Sequence, residues 1–130
     1  MKQKESNNKP RILLVDDDKD MCESLSDVLT LGSNYDVSYS INPLEALEII
    51  KKTDFVMAII DFKMPNMNGL ELLKHIKKLK PRMIVFLLTA FISNELVEQA
   101  KKEGAARVLS KFIWPAEILK YISATLAGIE

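Results

Sequence analysis

Two rhythms of apolar residues alternate along the chain. Short, mostly apolar runs occupy residues 11–16, 55–60, 83–88 and 106–109, while the stretches between them repeat hydrophobic positions every three or four residues. Unbroken runs suit strands buried on both faces, as in a parallel sheet. Residues 35–40 alternate apolar and polar side chains and read as a further strand, the second in chain order.

The helical stretches carry their own punctuation. Met21, Leu25, Val28 and Leu29 define a helix over residues 19–31, with Gly32 as its stop. Asn42-Pro43 caps a helix to about Lys52, with Leu44, Leu47 and Ile50 expected to face inward. Pro65 and Gly69 mark a loop before a helix that ends near Lys80, and Pro81 prevents its continuation. Ser93 opens a helix to Glu103 with Gly104 as its stop, and Pro115 opens a last one carrying Ile118, Ile122 and Leu126. Five strand–helix units predict an α/β fold, an open parallel sheet with helices on both faces. In such sheets ligands bind beyond the carboxyl ends of the strands.

The residues at those ends carry the chemistry. The first run finishes in Asp16, Asp17 and Asp18, the third in Asp61, the fourth in Thr89 and the fifth in Lys111. Carboxylates that converge from separate strands raise one another's pKa unless a cation lies between them. An all-oxygen donor set favours a hard ion such as Mg²⁺. A neighbouring ammonium and hydroxyl suit phosphoryl oxygens, so the set fits phosphoryl transfer to a carboxylate. Asp18 is assigned to the helix start, where anions are favoured.

Composition narrows the alternatives. Eighteen basic and eighteen acidic residues cancel over 130 residues, which gives no bulk attraction to nucleic acid or to an anionic membrane. No apolar run reaches membrane-spanning length, so the cytoplasm is the expected location. Cys22 is the only cysteine and reads as a reduced thiol near a core face. Residues 1–10 are polar and read as a flexible tail ahead of a domain over residues 11–127. His75, within KHIKKLK, reads as a solvated helix residue.

With ILLVDDD, IIDFKMPNMNGLELL, FLLTA and VLSK in this order, the sequence resembles the response-regulator receiver domain of two-component signalling. The resemblance implies a flavodoxin-like (βα)5 sandwich with strand order 2-1-3-4-5. It implies that Asp61 accepts a phosphoryl group from a sensor histidine kinase or phosphotransfer protein. It further implies that Asp16, Asp17, Asp61 and the backbone carbonyl of Lys63 hold Mg²⁺, and that Thr89 and Lys111 contact phosphoryl oxygens. The implied output is a switch around the fourth helix, fifth strand and fifth helix, read by a downstream effector domain or protein, with a homodimer as a further option. The domain is expected to bind no nucleic acid and to turn over no external substrate.

Two positions depart from the family pattern. Phe112 follows Lys111 where proline is usual, leaving the isomer of that bond open, and Val108 stands where many members carry a switch aromatic. Phe91, Ile92, Phe112, Ile113 and Trp114 either plug the upper edge of the domain or form a partner patch, with Trp114 the expected anchor. Two rivals share the acids. A magnesium-dependent phosphohydrolase would want an aspartate where Lys63 stands, and a phosphorylation-independent interaction module would not need the full set.

Overall fold

Alternating apolar runs and amphipathic stretches produce ten elements in a computed structural model that describes residues 9–31 and 34–128. The strands are β1 (Arg11–Val15), β2 (Asp36–Ser40), β3 (Met57–Asp61), β4 (Ile84–Thr89) and β5 (Arg107–Ser110). The helices are α1 (Lys19–Thr30), α2 (Pro43–Lys52), α3 (Gly69–Leu79), α4 (Asn94–Lys102) and α5 (Pro115–Ala127). All strand pairs are parallel, in the order β2-β1-β3-β4-β5. This is the expected flavodoxin-like sheet.

Because side chains alternate across a strand, each central strand feeds two cores. Leu13, Val15, Ala58, Ile60, Val85 and Leu87 meet Ala46, Ile50, Leu72, Ile76 and Ala100 from α2, α3 and α4. Ile12, Leu14, Ile59, Phe86 and Leu88 meet Leu25, Leu29, Ile118 and Ile122 from α1 and α5. Burial on both faces explains why β1, β3 and β4 read as continuous apolar runs. At ~25 cal/mol per Å², each large side chain so buried contributes roughly 1.5–3 kcal/mol.

Several expectations shift. Leu44 is 52% exposed rather than inward-facing, and Pro43, Ala46 and Ile50 form the buried face of α2. Each three-residue step falls about 60° short of a full turn, so two steps from Ile50 carry Leu44 well off that face. Gly69 is the first residue of α3, not part of the preceding loop, because Asn68 caps the helix and Glu71 returns a bond to the Asn68 N–H. Asp16 and Phe55 lie just outside their strands. The Gly32 stop lies outside the described residues, as do residues 1–8 of the expected tail. No cis peptide occurs among the described residues, so the Lys111–Phe112 bond is trans.

Candidate metal and phosphoryl-transfer centre

The register of the sheet assembles the site. Val15 pairs with Ile60, so Asp16 and Asp61 follow side by side at the ends of β1 and β3. Asp61 pairs with Leu88, which places Thr89 one step further along β4, and Thr89 pairs with Ser110 ahead of Lys111. Asp16, Asp17 and Asp61 each bring a carboxylate oxygen within 4.8 Å of the others. Asp16 and Asp61 are buried and Asp17 is exposed. Lys111 Nζ donates to Asp61 Oδ2 at 3.1 Å and lies 3.4 Å from Asp16 Oδ2, bridging the two buried acids.

Burial and mutual repulsion set the electrostatics. Desolvation, with the charge of Asp16, pushes the Asp61 carboxyl up from 3.8 to about 6, and Lys111 only partly opposes this. Desolvation also raises Asp16, against the N–H of Asp18, which donates to Asp16 Oδ1 at 3.0 Å, and against Lys111. Burial pulls the Lys111 ammonium down, but Asp61 and Asp16 outweigh it and the net shift is upward. Two buried acids and a third, exposed one form a hard, oxygen-only donor set whose negative charge exceeds that of the one shared ammonium. That chemistry fits a divalent cation.

Other side chains hold this arrangement. Asp18 stands apart as the cap of α1, its side chain accepting from the N–H groups of Asp20 and Met21. Cys22 is buried beneath the acids, donates to the Asp16 carbonyl at 3.4 Å, and has its thiol pushed up to about 12, chiefly by burial. It is a free, buried thiol at the core, where the sequence placed it. The Thr89 hydroxyl faces the chain after β4, donating to the Phe91 carbonyl and accepting from the Phe91 N–H, both at 3.2 Å. The Lys63 side chain is exposed.

Gly69, expected as a loop marker, is in fact a positioning residue at the start of α3. A Cβ there would lie 2.5 Å from the Asp61 carbonyl oxygen and 2.8 Å from Phe62 Cα. Its N–H donates to the Phe62 carbonyl at 2.7 Å, so α3 starts directly against the end of β3. The N-x-x-E capping signature of Asn68 and Glu71 was the available signal that a helix begins there.

The apolar loop residues divide. Phe91 (86%), Phe112 (77%) and Trp114 (77%) are exposed beside the site, as is Ile92, whereas Ile113 packs against the α1–α5 core. Most of this group is therefore surface and not plug. His75 is exposed on α3, as expected of a solvated helix residue.

Comparison with known proteins agrees with this geometry. Residues 12–123 match the family model described as response regulator receiver domain. A response regulator receiver protein of Anaeromyxobacter sp. (strain Fw109-5) is 34% identical over 109 residues, 84% of this chain and 45% of that protein. Sporulation initiation phosphotransferase F of Bacillus subtilis is 31% identical over 108 residues, 83% of this chain and 84% of that protein. A CheY-like receiver domain from Methanospirillum hungatei superposes with a TM-score of 0.88 at 31% identity, covering 93% of this chain and 96% of that one. The chain spans less than half the length of the first curated relatives it matches.

Proposed function

Because this chain belongs to the response regulator receiver domain family, we propose that Asp61 is its phosphoacceptor, served by Mg²⁺, Thr89 and Lys111. The observation that carries this reading is the meeting of three carboxylates within 4.8 Å, two of them bridged by one lysine. A carboxylate oxygen of Asp61 forms the new O–P bond as the N–P bond of a phosphohistidine breaks. The leaving imidazole keeps the electron pair and takes up a proton. Asp16, Asp17 and Asp61, with the Lys63 carbonyl, would hold the Mg²⁺, which when bound neutralises charge on the phosphoryl oxygens. Lys111 lies within reach of the acceptor and binds a phosphoryl oxygen as a point charge.

Transfer leaves a group of roughly −1.5 to −2 charge on Asp61. The Thr89 hydroxyl turns toward it, giving up both bonds to Phe91 and freeing the start of the β4–α4 loop. One of two pre-existing arrangements around α4, β5 and α5 is thereby favoured. The donor is a histidine kinase or phosphotransfer protein and the reader an effector domain or protein. The domain takes part in its own phosphorylation and dephosphorylation and turns over no other substrate.

Acetyl phosphate with and without Mg²⁺, read by intact mass, tests the reading. One phosphoryl adduct is expected with Mg²⁺. Its formation should slow about 100-fold or more in Lys111→Ala, in the range lost with a charge-stabilising group. Rapid turnover of phosphoesters would indicate a hydrolase instead, and no adduct a phosphorylation-independent module.

A further inference from the structure

A groove of about 530 Å³ opens between α3, the loop before it and the turn that ends α4, and none of Asp16, Asp17, Asp61 or Lys111 lines it. Its volume lies within the range of small-molecule sites, about 300–1,000 Å³. Among its lining residues, two charged groups are already committed. Glu71 accepts from the Asn68 N–H, and Lys77 Nζ donates to the Met83 carbonyl at 2.6 Å. Lys74, His75 and Lys78 are exposed and also line the groove, as does the half-buried Glu103.

Solvation and the helix dipole account for only part of this. Cations in a last turn are favoured by the negative end of the helix dipole, which accounts for Lys77 and Lys78, as it does for Lys101 and Lys102 on α4. It does not cover Lys74 and His75, which stand a turn earlier. Lys74 and Lys78 are also an i,i+4 pair of like charges, an arrangement that destabilises a helix by about 0.2–0.5 kcal/mol. Two lysines on other helices are paired within their own helix, Lys51 with Glu48 and Lys19 with Glu23. Among the described residues Lys74 and Lys78 make no ion pair.

From this geometry we propose that the α3–α4 groove binds a small phosphate-bearing anion, with Lys74 and Lys78 on its charged oxygens and His75 beside them. Asn66, held at φ 74°, and Met67 also line the groove, which joins it to the loop that follows Asp61. The shared chemistry is an oligophosphate, either free or carried by a nucleotide.

The test titrates the full chain, without divalent metal, with sodium tripolyphosphate and separately with ATP, following backbone amide shifts and binding heats. Saturable binding at one site is expected, with shifts centred on residues 66–67, 74–78 and 103. Affinity should fall about tenfold or more in Lys74→Glu/Lys78→Glu and stay within about twofold in Lys101→Glu/Lys102→Glu, which changes charge equally outside the groove. ATP binding more tightly than tripolyphosphate assigns the nucleotide, and equal binding assigns the free oligophosphate. Three results overturn the proposal: no saturation, equal weakening by the two double variants, or shifts confined to Asp16, Asp61 and Lys111. Melting curves of both variants confirm that they fold.

Discussion

Asp61 is a buried carboxylate that the fold holds at a cost, and its environment dictates a pH signature. Its carboxyl ionises near 3.8 when unfolded and at about 6 when folded, so across that window the folded state binds more protons. Stability contributed by the neutral acid is fully present below the unfolded value and is lost as pH rises through the folded one. Metal-free Asp61→Asn is therefore expected to be more stable than the parent above pH 7, by about 3 kcal/mol at most. The difference should fade below about pH 4. Urea unfolding across pH measures this, and a variant less stable than the parent at pH 8 would refute the electrostatic account. Thr89 shows the limit of reading a residue from sequence: its place at a strand end was legible, but its bonds to Phe91 depend on loop geometry that the sequence does not encode locally.

Two helix starts carry the argument at the scale of elements. Gly69 lets α3 abut β3, and Gly69→Ala is expected to cost about 1–3 kcal/mol by overpacking and to lower the phosphorylation yield. Gly128→Ala, where a Cβ meets nothing nearer than 3.5 Å, should be close to neutral; equal effects of the two would contradict the close-approach argument. Trp114 caps α5 with no side-chain bond, and Ser or Asp is favoured at such positions. Trp114→Ser is expected to stabilise the domain by about 0.5–1 kcal/mol. The same change should weaken association with a partner, while labelling by acetyl phosphate stays at the parent level. A loss of stability would show that the indole packs rather than docks. The caps at Asp18, Asn42 and Ser93 were legible because their signals are local, whereas the inward face of α2 was misjudged at Leu44 because a three-residue repeat drifts around the helix.

For the whole molecule, the sheet order turns distant sequence into one site. Residues 16, 61 and 111 meet because β1, β3, β4 and β5 are neighbours in register, and that order rests on the resemblance to a family, not on periodicity alone. Strand identities and the acids at their ends were readable from apolar runs. The bridging of Asp16 and Asp61 by Lys111 through a trans bond to Phe112 was not, since an isomer is decided by tertiary packing. The central claim is that a phosphoryl group resides on Asp61. Reduction of the phosphorylated chain with borohydride converts an aspartyl phosphate to homoserine, and peptide mass mapping then locates it. Homoserine at position 61 and nowhere else is predicted; homoserine at Asp16 or Asp17, or labelling that survives Asp61→Asn, would contradict the account.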